Sequence, residues 1–226
     1  MAQEMDPVRP QPEAAAPSPA VHARGALLRE ALETLLFALL IFFLVRSLVQ
    51  NFKVEGSSME PNLHTGQYII VNRVVYLHVD LNAFRRLLPQ GRGLEPRLAY
   101  LFRMPRRGDI VVFEYPRDTS RDFIKRVIGL PGETVEIRGG QVYINGIPLQ
   151  EPYLPDAVRA HMADMPPTVV PANAVFVMGD NRGNSSDSRS WGPLPLNRIV
   201  GQAWFTYWPS QYWGTIPRVE PILAAP

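Results

Sequence analysis

The stretch Phe123-Ile124-Lys125-Arg126-Val127-Ile128-Gly129-Leu130 decides the fold. Its β-branched and aromatic residues, closed by Gly129 and Pro131, read as a strand. Similar short runs recur at Gln67 to Tyr76, Ile110 to Tyr115, Thr134 to Arg138, Gln141 to Ile144, Ala174 to Met178 and Ile199 to Tyr207, all broken by Gly and Pro. Gly139-Gly140 between two of them is a hairpin signal. The expectation is a mostly β fold, an antiparallel Greek-key or barrel-like domain over residues 51–226.

Two segments interrupt that pattern. Asp80 to Pro89 has an N-cap Asp, apolar residues at helical spacing, late arginines and a stopping Pro, which predicts a short amphipathic helix. Glu95 to Arg103, with Pro96 in its first turn, predicts a second. Between Arg85 and Arg107 there are seven Arg and one Glu. This basic insertion at 78–107, carrying Leu, Phe and Tyr, suits either contact with anionic lipid or a solvated structural hairpin. Further on, Pro152, Pro155, Pro166, Pro167 and Pro171 mark an inserted lobe at about 145–172.

Toward the N-terminus, residues 1–24 are rich in Pro and Ala and predict a disordered tail. Leu35 to Val45 is then an unbroken apolar run. Alone it is shorter than the ~20 residues that cross a bilayer. Ala26 to Val49 supplies the length, with Arg29 and Glu33 able to pair and Arg46 able to snorkel. Because no small-x-small cleavage site follows, residues 25–50 read as an uncleaved single transmembrane anchor rather than a secretory leader. Arginines flank it on both sides, so charge alone sets orientation weakly.

Composition narrows the chemistry. The chain has 226 residues, 46% of them hydrophobic, no cysteine and a net charge of +2. Disulfides, thiolate nucleophiles and thiolate metal sites are thereby excluded, and nothing points to nucleic acid. The four histidines, His22, His64, His78 and His161, show no metal-ligand spacing, and no metal or other cofactor is expected. His64 lies near Ser58, which leaves a Ser/His/Asp arrangement open.

Lys53 and Lys125 are the only lysines among 23 basic residues. Lysine, unlike arginine, can become a general base when burial depresses its pKa. On a strand, Lys125 shares a face with Phe123 and Val127, so its ammonium would stand between apolar neighbours.

Four ordered segments give Lys125 company: Val54-Glu55-Gly56-Ser57-Ser58-Met59-Glu60-Pro61, Arg107-Gly108-Asp109-Ile110-Val111-Val112-Phe113, Lys125-Arg126-Val127-Ile128-Gly129-Leu130-Pro131-Gly132-Glu133, and Met178-Gly179-Asp180-Asn181-Arg182-Gly183-Asn184-Ser185-Ser186-Asp187-Ser188-Arg189. Together they resemble the boxes of the bacterial type I signal peptidases. The resemblance implies a Ser/Lys endopeptidase in the bacterial cytoplasmic membrane, its catalytic domain on the extracytoplasmic side, removing signal peptides from exported preproteins. It implies Ser58 as nucleophile, rather than Ser57, and Lys125 as general base. It further implies that Ser185 orients the base and that Asp187, Arg189 and Arg126 form a supporting ion-pair cluster.

Where some members of that family carry an oxyanion-hole Ser, this chain has Gly56; Ser is expected to be tolerated there if the backbone suits a side chain, and to damage activity if Gly56 is needed at positive φ or for close approach of substrate. Asn62 and Glu133 depart from the usual Thr and Asp. By the same resemblance Phe52, Val54, Met59, Leu63, Ile69, Phe123 and Ile124 line shallow pockets for small substrate side chains; the alternative is ordinary core, which suits Ile69 and Leu63 equally well. Trp204, Trp208 and Trp213 suit either a core or a membrane interface. Other readings are a hydrolase using His64, a self-cleaving Ser/Lys protease of the repressor type, and an anchored β module without catalysis.

Overall fold

The computed structural model describes residues 19–86, 88, 93–94, 97–159, 162–219 and 221–223. The chain divides into two compact units after Arg46. The first consists of helix α1 (Pro19–Leu48), whose last two residues lie in the second unit. Pro19 to Arg24, expected in the disordered tail, are the first residues of this helix, and residues 1–18 lie outside the described residues. Leu35, Leu36, Phe37, Leu40, Phe42 and Phe43 are all exposed on it. Arg29 and Glu33 form the expected pair at 2.7 Å. Among the described residues no helix is long and apolar enough to cross a membrane.

The second unit is built of antiparallel strands: β1 (Val49–Lys53), β2 (Tyr68–Asn72), β3 (His78–Asp80), β4 (Leu98–Tyr100), β5 (Ile110–Tyr115), β6 (Asp118–Gly129), β7 (Thr134–Arg138), β8 (Gln141–Ile144), β9 (Ile147–Gln150), β10 (Met165–Val169), β11 (Ala174–Met178), β12 (Leu194–Pro195), β13 (Ile199–Trp208), β14 (Gly214–Thr215) and β15 (Ile222–Leu223). Short helices α2 (Ala83–Arg86), α3 (Asp156–Arg159) and α4 (Ser188–Trp191) lie between them.

The larger sheet runs β1-β2-β13-β5-β6-β11-β12, with β14 beside β13. The long β13 therefore inserts between β2 and β5, and residues far apart in sequence become neighbours. The smaller sheet runs β10-β7-β8-β9-β15. Gly139 and Gly140, both at positive φ, make the expected β7–β8 turn. The two ends of the Pro-rich segment extend this sheet as β9 and β10. Pro166 and Pro167 sit where the β10 register slips against β7, as proline's missing N–H requires.

Two expectations for the insertion need correction. The helix over Asp80 to Pro89 shrinks to the four residues of α2; Leu87 and Pro89 lie outside the described residues. The helix over Glu95 to Arg103 is replaced by β4, whose Leu98, Ala99 and Tyr100 pair with Asp80, Val79 and His78. Asp80 explains both: its carboxylate accepts from the N–H groups of Asn82 and Arg97 and pairs with Arg86, tying the two arms together. Cross-strand pairing then outweighs local helix propensity.

Three apolar clusters fill the unit. One, with Ile128, Ile137, Ile144 and Phe176, joins the smaller sheet to β6 and β11. A second, with Val111, Phe113, Val127 and Val177, lies against α4. The third, with Val54, Met59, Leu63, Ile69, Val71, Ile110 and Val112, supports the loop after β1. That loop carries Ser58.

Candidate active site

Ser58 sits in a turn pinned from within. Glu60 N–H donates to Ser57 O at 3.1 Å, and the N–H groups of Asn62 and Leu63 donate to Met59 O. Met59 and Leu63, expected in the pockets, are instead buried to 0% and 2% exposure in the cluster beneath, where they fasten the turn to the core. Facing this turn, β6 presents Lys125, paired on one side with Val111 of β5.

Lys125 Nζ lies 2.7 Å from Ser58 Oγ and 2.9 Å from Ile124 O. It is 4% exposed. Burial pulls its pKa down to about 8, against the opposing pull of the Asp187 and Asp180 carboxylates. A serine hydroxyl within hydrogen-bond reach of an amine that is partly neutral near physiological pH is the geometry of an activated nucleophile. Ser57 is differently engaged: its Oγ accepts from Asn184 Nδ2 at 3.0 Å. His64 packs on Tyr212 and lies 3.9 Å from Glu60; among the described residues no histidine bonds Ser58.

The loop between β11 and α4 supports the pair with two separate buried ion pairs, not the single cluster expected. Arg126 grips Asp180 through two bonds of 2.8 and 2.6 Å. Asp187 is held by Arg189 at 2.8 and 2.7 Å and accepts from Gly179 N–H. Burial alone would raise the Asp187 pKa, but the Arg189 guanidinium and Gly179 N–H hold it below the usual carboxylate value. Ser185 Oγ is buried against Gly179 and makes no hydrogen bond to Lys125. Nothing in the sequence singles out Asp180, although it stands in the Gly179-Asp180-Asn181 segment. Asn62 completes its shell, donating to Asp180 Oδ2 at 2.9 Å. Glu133 bonds Arg107 at 2.6 Å.

A cleft of about 580 Å³ opens over Ser58 and Lys125. Phe52, Val54, Ile69, Phe123 and Ile124 line it as expected. Val112, Arg121, Asp122 and Asn184 also line it and were not anticipated. Gly56 borders the same cleft at φ +83°, with open space where a Cβ would stand. This is the positive-φ case, in which Ser is expected to do harm, since a residue with a side chain is strained at that φ. Among the described residues no group of three His, Asp or Glu side chains is placed to hold a metal ion.

Residues 28–208 match the family described as signal peptidase, peptidase S26. The chain belongs to that family. It is 36% identical over 197 residues to a probable signal peptidase I-1 of Synechocystis, covering 84% of this chain and 87% of that one. It is 34% identical over 218 residues to signal peptidase I of Leptolyngbya laminosa, covering 92% and 94%. Among solved structures, a signal peptidase I from Enterococcus faecalis aligns with a TM-score of 0.41 at 38% identity, over 44% of this chain and 97% of that one.

Proposed function

We propose that this peptidase cleaves signal peptides from exported preproteins, with Ser58 as nucleophile and Lys125 as its base. The observation that carries the reading is the 2.7 Å approach of Ser58 Oγ to the buried, pKa-depressed Lys125 amine. Neutral Lys125 accepts the Ser58 proton as Oγ adds to the scissile carbonyl carbon. The resulting ammonium then protonates the departing amine, leaving an acyl-enzyme on Ser58. In the second half, neutral Lys125 takes a proton from water as the water oxygen adds to the ester carbonyl, and the ammonium returns that proton to Ser58 Oγ as the C–Oγ bond breaks and the signal peptide leaves as a carboxylic acid. Ser58 N–H, which donates to nothing among the described residues, is available to the developing oxyanion.

The cleft walls of Phe52, Val54, Ile69, Phe123 and Ile124 leave room for small side chains such as Ala before the cut. Asp180, Arg126, Asp187 and Arg189 hold the framework, and Ser185 lies next to it. Residues 25–50 anchor the chain as a single span in the bacterial cytoplasmic membrane with the peptidase domain outside. The exposed Leu and Phe side chains of α1 support that placement, because water would leave this surface unburied. The 78–107 insertion contacts lipid through exposed Val79, Leu81, Phe84, Leu101 and Phe102 beside Arg85, Arg97 and Arg106.

Cleavage of a preprotein by wild type, Ser58→Ala and Lys125→Met tests the mechanism. Both variants should fold and lose activity almost completely, since the pair works as a unit. Wild-type rates in Lys125→Met would dispose of it.

A further inference from the structure

The peptide unit between Ser57 and Ser58 carries two groups with opposite duties. Its N–H, on Ser58, is the donor nearest the nucleophile. Its C=O, on Ser57, accepts from Glu60 N–H at 3.1 Å and from the side chain of Asn181, Nδ2 to O, at 3.2 Å. The bond is trans, so C=O and N–H point in opposite directions and fixing one fixes the other. Asn181 also donates its own N–H to Ser58 O at 3.0 Å, which bounds the nucleophile on its other side. Asn181 itself is placed by Asp180, whose carboxylate is fully buried on Arg126.

We propose that Asn181 is a positioning residue that sets the plane of the Ser57–Ser58 peptide and so aims Ser58 N–H at the oxyanion. This rests on the Ser58/Lys125 reading above and adds to it a residue that neither lines the cleft nor bonds Lys125. The Glu60 bond lies within the turn and moves with it, whereas Asn181 belongs to the β11–α4 loop and references the plane to the rest of the site. An oxyanion donor acts only as charge develops on the carbonyl oxygen, so a donor aimed wrongly lowers turnover and leaves ground-state binding alone. Gly56, at positive φ just before the unit, has no side-chain oxygen to substitute for a misdirected N–H.

The test compares wild type, Ser58→Ala, Asn181→Leu and Asn181→Ala on one signal-peptide substrate, with thermal melting to verify folding. Leu preserves the side-chain volume, and both variants keep the main-chain bond to Ser58 O. The expected result is a 10- to 100-fold fall in kcat for both Asn181 variants, with KM within about 3-fold of wild type. The pH midpoint of kcat/KM should also stay in place, because Lys125 and its neighbours are unchanged. A merely structural role would loosen the turn, raise KM and move that midpoint together, and this result would overturn the proposal. So would an unaltered kcat in either folded variant. An active wild type with dead Ser58→Ala keeps the function reading standing whatever Asn181 does; an inactive wild type, or an active Ser58→Ala, removes both.

Discussion

Lys125 is held in a position that costs the fold something. Its pKa falls from an ordinary 10.5 to about 8 because the ammonium is buried. For a lysine with a depressed folded pKa, the unfolded chain binds more protons between those two values, so stability rises with pH across that window. Below about pH 8 the whole penalty is present, of order 3 kcal/mol at 1.36 kcal/mol per pKa unit. Lys125→Met should therefore be inactive and yet more stable than wild type at pH 7, by up to ~3 kcal/mol less the lost Ser58 hydrogen bond. Denaturant unfolding at pH 7 and again above pH 10 checks this: the advantage should shrink at the higher pH, and a Met variant less stable at pH 7 refutes it. Activity should rise with pH through about 8 as the amine becomes neutral. Gly56 gives the other prediction at this scale. A side chain at φ +83° has space but costs about 1–2 kcal/mol of backbone strain. Gly56→Ser should lower turnover or melting temperature, and a variant equal to wild type in both would show that the turn relaxes freely.

At the scale of elements, the site depends on β6, the turn after β1 and the β11–α4 loop, and the buried Arg126–Asp180 pair binds the strand to the loop. Removing one partner of such a pair leaves an unpaired charge in the interior, whereas removing both removes the problem. Asp180→Asn should cost about 3–5 kcal/mol in denaturant unfolding, and adding Arg126→Leu should recover much of it. Additive losses in the double variant would mean the two act independently. These elements differ in how far the sequence reveals them. The strand around Lys125 is readable because Phe123, Ile124, Val127 and Ile128 make a β-branched and aromatic run closed by Gly129 and Pro131, and β7, β8 and β11 stand at the residues expected. The lysine's scarcity makes it conspicuous. Asp180 and Asn181 were invisible as site residues, because their roles depend on partners 54 positions away in Arg126 and 124 away in Ser57. Likewise Met59 and Leu63 have the apolar character of both a pocket wall and a core, and only packing decides between them. The β4 strand cannot be read from its own helix-favouring residues, since the carboxylate that ties it to β3 lies outside the segment itself.

At the scale of the whole molecule, the charge of the 78–107 insertion is smaller at its surface than its composition suggests. Arg86 pairs with Asp80, Arg103 with Asp109 and Arg107 with Glu133, all within the fold. Arg85, Arg97 and Arg106 remain exposed, beside Phe84 at 73%, Phe102 at 66% and Leu101 at 60% exposure. A second exposed group, Trp204, Trp208 and Trp213, lies on and after β13, which settles that these are not core residues. Insertion of apolar side chains and attraction of arginines to anionic lipid respond differently to salt: the first is insensitive, the second is screened within about 10 Å at 0.1 M. At ~1 kcal/mol for each arginine near the surface, three of them would strengthen binding by about two orders of magnitude at low salt. A chain lacking residues 1–46 should therefore bind vesicles containing anionic lipid, and raising salt should weaken the binding without abolishing it. Replacing Phe84, Leu101 and Phe102 by Ser should remove the salt-resistant part, while replacing Arg85, Arg97 and Arg106 by Gln should remove the salt-sensitive part. Co-sedimentation across a salt series measures both. Should neither set of changes matter, while Trp204→Ser and Trp213→Ser do, the lipid-facing surface belongs to β13 and β14 and the insertion is a structural hairpin.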